Sequence, residues 1–106
     1  MIITTTPTIE EHKIVEYKGI VSGEVILGMN FLKVFGASIR DFFGGRSNSY
    51  EDAMLEGRKT ALQEMESRAR ELGANAIVGV SYGYETLGQS STMIMVSISG
   101  TAVVID

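Results

Sequence analysis

The amino-acid sequence predicts a two-layer α+β fold of β-α-β-β order. Its three-stranded, mainly antiparallel sheet carries one long helix on one face, and a short extra helix precedes the long one. Three observations predict it. Residues 13–28 alternate with period two, residues 49–72 carry apolar and small side chains at helical spacing, and residues 76–85 and 92–105 alternate again.

Taken in chain order, residues 1–9 come first: a threonine-rich leader holding the only proline, Pro7, read as an extended arm. Strand 13–28 follows. Its odd positions (Val15, Tyr17, Gly19, Val21, Gly23, Val25, Leu27) are apolar or glycine, and its even positions hold Glu16, Lys18 and Glu24. That is the pattern of a strand with one covered face. Gly19 and Gly23 lie on the apolar face, where a missing side chain permits close approach by another element.

Within residues 30–43, Phe31, Phe35, Ile39 and Phe42 recur at three- and four-residue steps, which predicts the short amphipathic helix. Gly44-Gly45 ends it. The long helix starts after Ser47, Asn48 and Ser49, which offer capping oxygens, and Asn48-Ser49-Tyr50-Glu51 approximates a capping box. Ala53, Gly57 and Ala61 form a ridge of small residues, widened by Met54, Leu62, Met65, Ala69 and Leu72. Gly73 closes it. Two strands joined by a hairpin loop at 86–91 complete the fold. Their even positions, Ala76, Val78, Val80, Tyr82, Tyr84, Ile94, Val96, Ile98, Ala102 and Val104, read as core.

A chain of 106 residues with 44% hydrophobic and 21% charged residues suits one globular domain spanning 1–106. Nine Lys and Arg against thirteen Asp and Glu give a net charge of −4, a poor basis for binding nucleic acid or anionic membranes. Cysteine is absent, which excludes disulfides, thiolate metal sites and Cys nucleophiles. Neither a signal peptide nor a run of roughly 18 apolar residues is visible. A cytoplasmic location is the expectation.

Assembly is the strongest inference. Between positions 74 and 105 the one formally charged residue is Glu85. A half-exposed sheet ordinarily carries charge on its wet face. One long helix covers one face, and the short phenylalanine-rich helix has few residues to cover the other. That face or the sheet edges are therefore expected to meet further copies of the chain in a symmetric oligomer, set against a monomer with an uncharged hydroxyl face.

Chemistry is harder to find. The Gly44-Gly45-Arg46-Ser47 turn before a helix is a candidate anion site, because helix N-termini present unpaired N–H groups and arginine adds a forked contact. It lacks the lysine of a P-loop. The plainer reading is a cap with a surface ion pair from Arg46 to Glu51 or Asp41. His12, the only histidine, shares a face with Glu10 if residues 8–12 are extended, a weak candidate metal pair set against a solvated histidine. The six methionines read as packing residues. No cofactor is identifiable, and the Cys and His content gives a metal ion little support. No catalytic constellation appears, so the chain reads as a non-enzyme.

Three stretches carry a family signature: Gly23-Glu24-Val25-Ile26-Leu27-Gly28; Ile39 through Ser47 with Tyr50-Glu51; and Leu72 through Val80. With Met95-Val96-Ser97 and Gly100-Thr101-Ala102-Val103, the sequence resembles the YbjQ-like family of small uncharacterised bacterial proteins, labelled "putative heavy-metal-binding domain". The resemblance spans almost the whole chain. It implies a subunit of dodecin-like layout assembled as a homopentameric ring, and no established activity. It also sets Glu24, Asp41, Tyr50, Glu51 and Arg58 apart as motif or interface residues. Arg40, Arg46, Ser47 and Ser49 are left as the candidate anion site. A metal-handling protein with sites formed between subunits is the alternative function.

Overall fold

Alternation becomes strand and the small-residue ridge becomes helix in a computed structural model that describes residues 1–28, 48–87 and 93–106. The elements are β1 (Ile2–Ile3), β2 (Ile14–Leu27), α1 (Asn48–Glu71), β3 (Ala76–Leu87) and β4 (Met93–Ile105). The expected short helix at 30–43 lies outside the described residues, as does most of the 86–91 loop.

The sheet has four strands in the order β1-β3-β4-β2, not three. The extra strand comes from the leader. Ile2 and Ile3 pair in parallel with Ala76 and Ile77, so the arm is partly sheet. Thr4 and Thr6 prolong the contact, their carbonyls accepting from Val80 N (3.1 Å) and Gly79 N (2.9 Å). The other pairings, β2 with β4 and β3 with β4, are antiparallel.

Helix α1 lays one row of residues on this sheet. Ala53, Ala61, Met65 and Ala69, at multiples of four, are fully buried. The row sits over β2 because Gly23 lets it. A Cβ at Gly23 would collide with the Ala61 carbonyl, and one at Gly57 would lie 3.2 Å from Leu27 Cδ2. Gly19 has a different role from the one expected. Nothing approaches it, and its φ of +123° is the backbone geometry that favours glycine, beside an irregularity in the β2–β4 ladder. At the helix C-terminus Gly73 (φ +84°) turns the chain, with Ala74 N donating to Ala69 O at 3.1 Å. Leu72, expected on the apolar stripe, falls in that turn and is 45% exposed.

Strict parity fails in β3, for a local reason. The register breaks between Val78 and Ser81, and Gly79 takes a φ of +62°. Before the bulge Ile77 joins Ala61, Met65, Ala69 and Ala102 under the helix, and after it Val80 does. Ala76 and Val78 pack instead with Val103 and Ile105 on the opposite face, under Ile9 and Ile14. Ile77, Val103 and Ile105 are thus core residues that alternation alone assigns to the other face, while Tyr82 and Tyr84 are 43% and 46% exposed. Irregularities near Ile14 and Tyr17 likewise leave Val15 and Tyr17 outside the core.

Asn75 locks the helix return onto β4. Its side-chain Nδ2 donates to Ile105 O (3.0 Å) and its Oδ1 accepts from Ile105 N (2.8 Å), imitating a paired strand residue. Among the described residues no helix is long and apolar enough to cross a membrane.

Candidate functional site

The cationic group of interest sits where α1 crosses the far half of β3. Tyr82 and Tyr84 are two apart on one strand and so project to the same side. Arg58 reaches them from the helix. Its guanidinium carbon lies 5.8 Å from the Tyr82 ring centroid and 5.6 Å from that of Tyr84, within cation–π range. Its Nε donates to the Tyr84 hydroxyl. Met54 stands one helical turn before Arg58, and the two border a cleft of about 350 Å³ with Tyr84, Glu85, Thr86 and Ile94. A smaller hollow of about 280 Å³ adjoins it, lined by Glu51, Met54, Leu55 and Arg58.

Among the described residues, the ion pairs of the other helical arginines are intrahelical. Arg68 meets Glu64 and Arg70 meets Glu66, each four residues apart. Arg68 also donates to Ser22 O at 2.7 Å, tying α1 to β2. Arg58 forms no ion pair in that set, and its Nη groups are not engaged by a described carboxylate.

The leader forms a second concavity, of about 520 Å³, lined by Ile2, Thr4, Thr6, Thr8, Ile9 and Glu10. The Thr4 and Thr6 hydroxyls are occupied internally: they share a hydrogen bond, and Thr6 Oγ1 donates to Thr8 O at 2.6 Å. The extended run expected at 8–12 is a turn instead, closed by His12 N to Ile9 O (3.2 Å), with Glu11 at a φ of +69°. Alternation therefore does not place Glu10 beside His12. The His12 ring is drawn to Asp106, Nδ1 lying 3.0 Å from its carbonyl oxygen. Lys13 N and Asp106 Oδ1 add a 2.8 Å bond. Among the described residues no three His, Cys, Asp or Glu side chains converge as metal ligands.

The remaining expected residues scatter. Glu24 is exposed on the sheet face away from α1, opposite Ser97 in register. Glu51 is exposed in the first turn of α1. Arg40, Asp41, Arg46 and Ser47 lie outside the described residues, as do the side chains of Ser49 and Tyr50. Alternation assigns Tyr82 and Tyr84 to the core, so the tyrosine part of the Arg58 cluster is not visible in the sequence pattern. A signal existed: two tyrosines at i, i+2 followed by Glu85 mark a strand segment that is not buried.

A family model described as "Putative heavy-metal-binding" matches residues 1–106. The chain is 58% identical over 106 residues to a UPF0145 protein of Listeria welshimeri, covering 100% of this chain and 96% of that protein. Identity to a UPF0145 protein of Listeria monocytogenes is 57%, with the same coverage. In fold it is similar to a crystal structure of a protein of unknown function from Pediococcus pentosaceus, assigned to the DUF74 family. The TM-score is 0.57 at 20% identity, with 100% of this chain and 98% of that one covered. None of these names is that of an enzyme.

Proposed function

Given that the chain belongs to the YbjQ-like family, we propose that it acts as a non-catalytic, cytoplasmic homo-oligomer, a pentameric ring whose subunits offer a site for a small anionic ligand. One observation carries the oligomer: the half-dressed sheet. Away from α1, the sheet from the row of Ile20 and Thr101 to its far end presents Ile20, Ser22, Glu24 and Ile26 from β2, Met93, Met95, Ser97 and Ser99 from β4, and Ser81 and Glu85 from β3. Ile20 is 85% exposed and Ile26 52%. So large a face with two carboxylates and no basic side chain suits burial against further copies of the chain. Sheet edges add to this reading. Beyond Val80, β3 has no strand partner on its outer side among the described residues, and neither does β2 along its length. A β3 edge meeting a β2 edge is a head-to-tail contact, the type that closes rings. The number five rests on the family resemblance.

Light scattering on the purified protein tests this reading. A mass of five times the 11.5 kDa chain is expected, and a monodisperse monomer at micromolar concentration overturns it. The family's description supports a metal-handling alternative. Converging donors among the described residues are too few within one chain, so that reading needs ligands from several subunits. Elemental analysis of native protein and of His12→Ala decides it: metal retained by the first and lost by the second supports the alternative.

A further inference from the structure

We propose that the cleft between α1 and β3 is a binding site for small carboxylates with a flat apolar body, with Arg58 as the anchoring cation. The proposal rests on the small-anion part of the function above and is independent of its oligomer part.

The geometry has three components. First, Arg58 is held in place before any ligand arrives. One donor is committed to the Tyr84 hydroxyl, and the guanidinium rests against two aromatic rings. This limits the rotamer entropy that an arginine otherwise loses on binding. Second, no described carboxylate engages the Nη edge, which has the geometry for the paired N–H···O contacts that a carboxylate accepts and a single-point anion contact does not exploit. Third, the cleft beside it is apolar at Met54 and Ile94 and aromatic at Tyr84, with a volume of about 350 Å³. That is room for a ring-sized body and falls at the lower end of ordinary ligand pockets. Methionine adapts to the shape of such a body and makes favourable contacts with aromatic rings.

Charge narrows the class further. Glu51 lines the adjoining smaller hollow, whereas Glu85 belongs to the sheet face away from α1. The Glu51 carboxylate disfavours polyanions such as nucleotides, whereas a monocarboxylate meets one cation and leaves its apolar end away from that glutamate. The protein's net charge of −4 gives no long-range attraction for anions, so recognition has to be local.

The test uses the full-length protein and follows the tyrosine ring resonances by NMR during titration with benzoate, benzylamine and inorganic phosphate. Benzoate is expected to shift the Tyr82 and Tyr84 signals saturably in the millimolar range, and benzylamine and phosphate to do so at least tenfold more weakly. Arg58→Gln, which keeps length and polarity, should weaken benzoate about tenfold or more. Tyr84→Phe, which keeps the ring, should weaken it less. Both variants are first checked for an unchanged mass and melting temperature. Unchanged benzoate binding in Arg58→Gln, or equal binding of benzylamine, overturns the assignment. If anions bind but the response disappears in Arg46→Gln instead, the small-anion reading survives and this site fails. If no anion binds, both fall. A loss of oligomer mass in Arg58→Gln would also overturn it, because the guanidinium would then be serving a neighbour's carboxylate.

Discussion

The two ends of the sheet are dressed differently. At the end near the helix return, both faces are covered: α1 lies on one, over Ile77 and Ala102, while Ile9 and Ile14 lie on the other, over Val78, Val103 and Ile105. From the row of Ile20, Thr101 and Val78 to the far end, α1 alone covers the sheet at β2, and the opposite face of that strand, with Ile20 and Ile26, is bare among the described residues. The same β4 runs through both ends. Its burial alternates over Met93–Ser97, whereas Ala102, Val103 and Ile105 near its end are all buried. One end is built like the interior of a domain and the other like half of an interface. Stability should therefore reside at the first end and association at the second.

Substitutions can separate the two. The largest loss is expected at the crossing of α1 over β2. Gly23→Val drives a branched side chain into the Ala61 carbonyl and should destabilise by about 3 kcal/mol or more, read as a lowered urea midpoint at fixed protein concentration. Ile77→Ala empties a fully buried position at the doubly covered end and should remove about 2–4 kcal/mol in the same measurement. Asn75→Ala breaks two hydrogen bonds to the Ile105 backbone and should remove about 1–2 kcal/mol. The smallest effect on chain stability, below about 0.5 kcal/mol, is expected for Ile20→Ser at the bare end. That variant should nevertheless lower the mass seen by light scattering. A large stability loss with unchanged mass would show that Ile20 is covered within its own chain, and the contrast between the ends would fail.

Much of this was legible in the sequence. The long helix was expected at 49–72 and runs Asn48–Glu71, because its small-residue ridge and closing Gly73 are local signals. Gly23 was read correctly as a place of close approach. Parity was reliable only between irregularities, since a bulge shifts every later side chain to the other face and leaves no mark in hydrophobicity. Gly79 looked like an ordinary small residue until its φ was known. Strand β1 was invisible for another reason: two residues have no periodicity, and their parallel pairing joins segments more than seventy positions apart. Of the site, Arg58 was reached through family resemblance rather than through its own surroundings. Its partners come from a strand whose exposure depends on the same bulge. Arg40 and Arg46, with the expected anion turn, fall outside the described residues.

The bulge at Gly79 gives β3 two reading frames. Upstream, odd positions look toward the helix, and downstream, even ones do. Were that glycine to take a regular extended place in the ladder, without the bulge, the result would be a frameshift in space: Ser81 and Gly83 would turn to the helix, and Val80, Tyr82 and Tyr84 would move to the bare face. The arginine would lose its aromatic seat, and the bare face would gain rings it does not now carry. A single left-handed residue thus sets which surface of this protein is aromatic and which is plain.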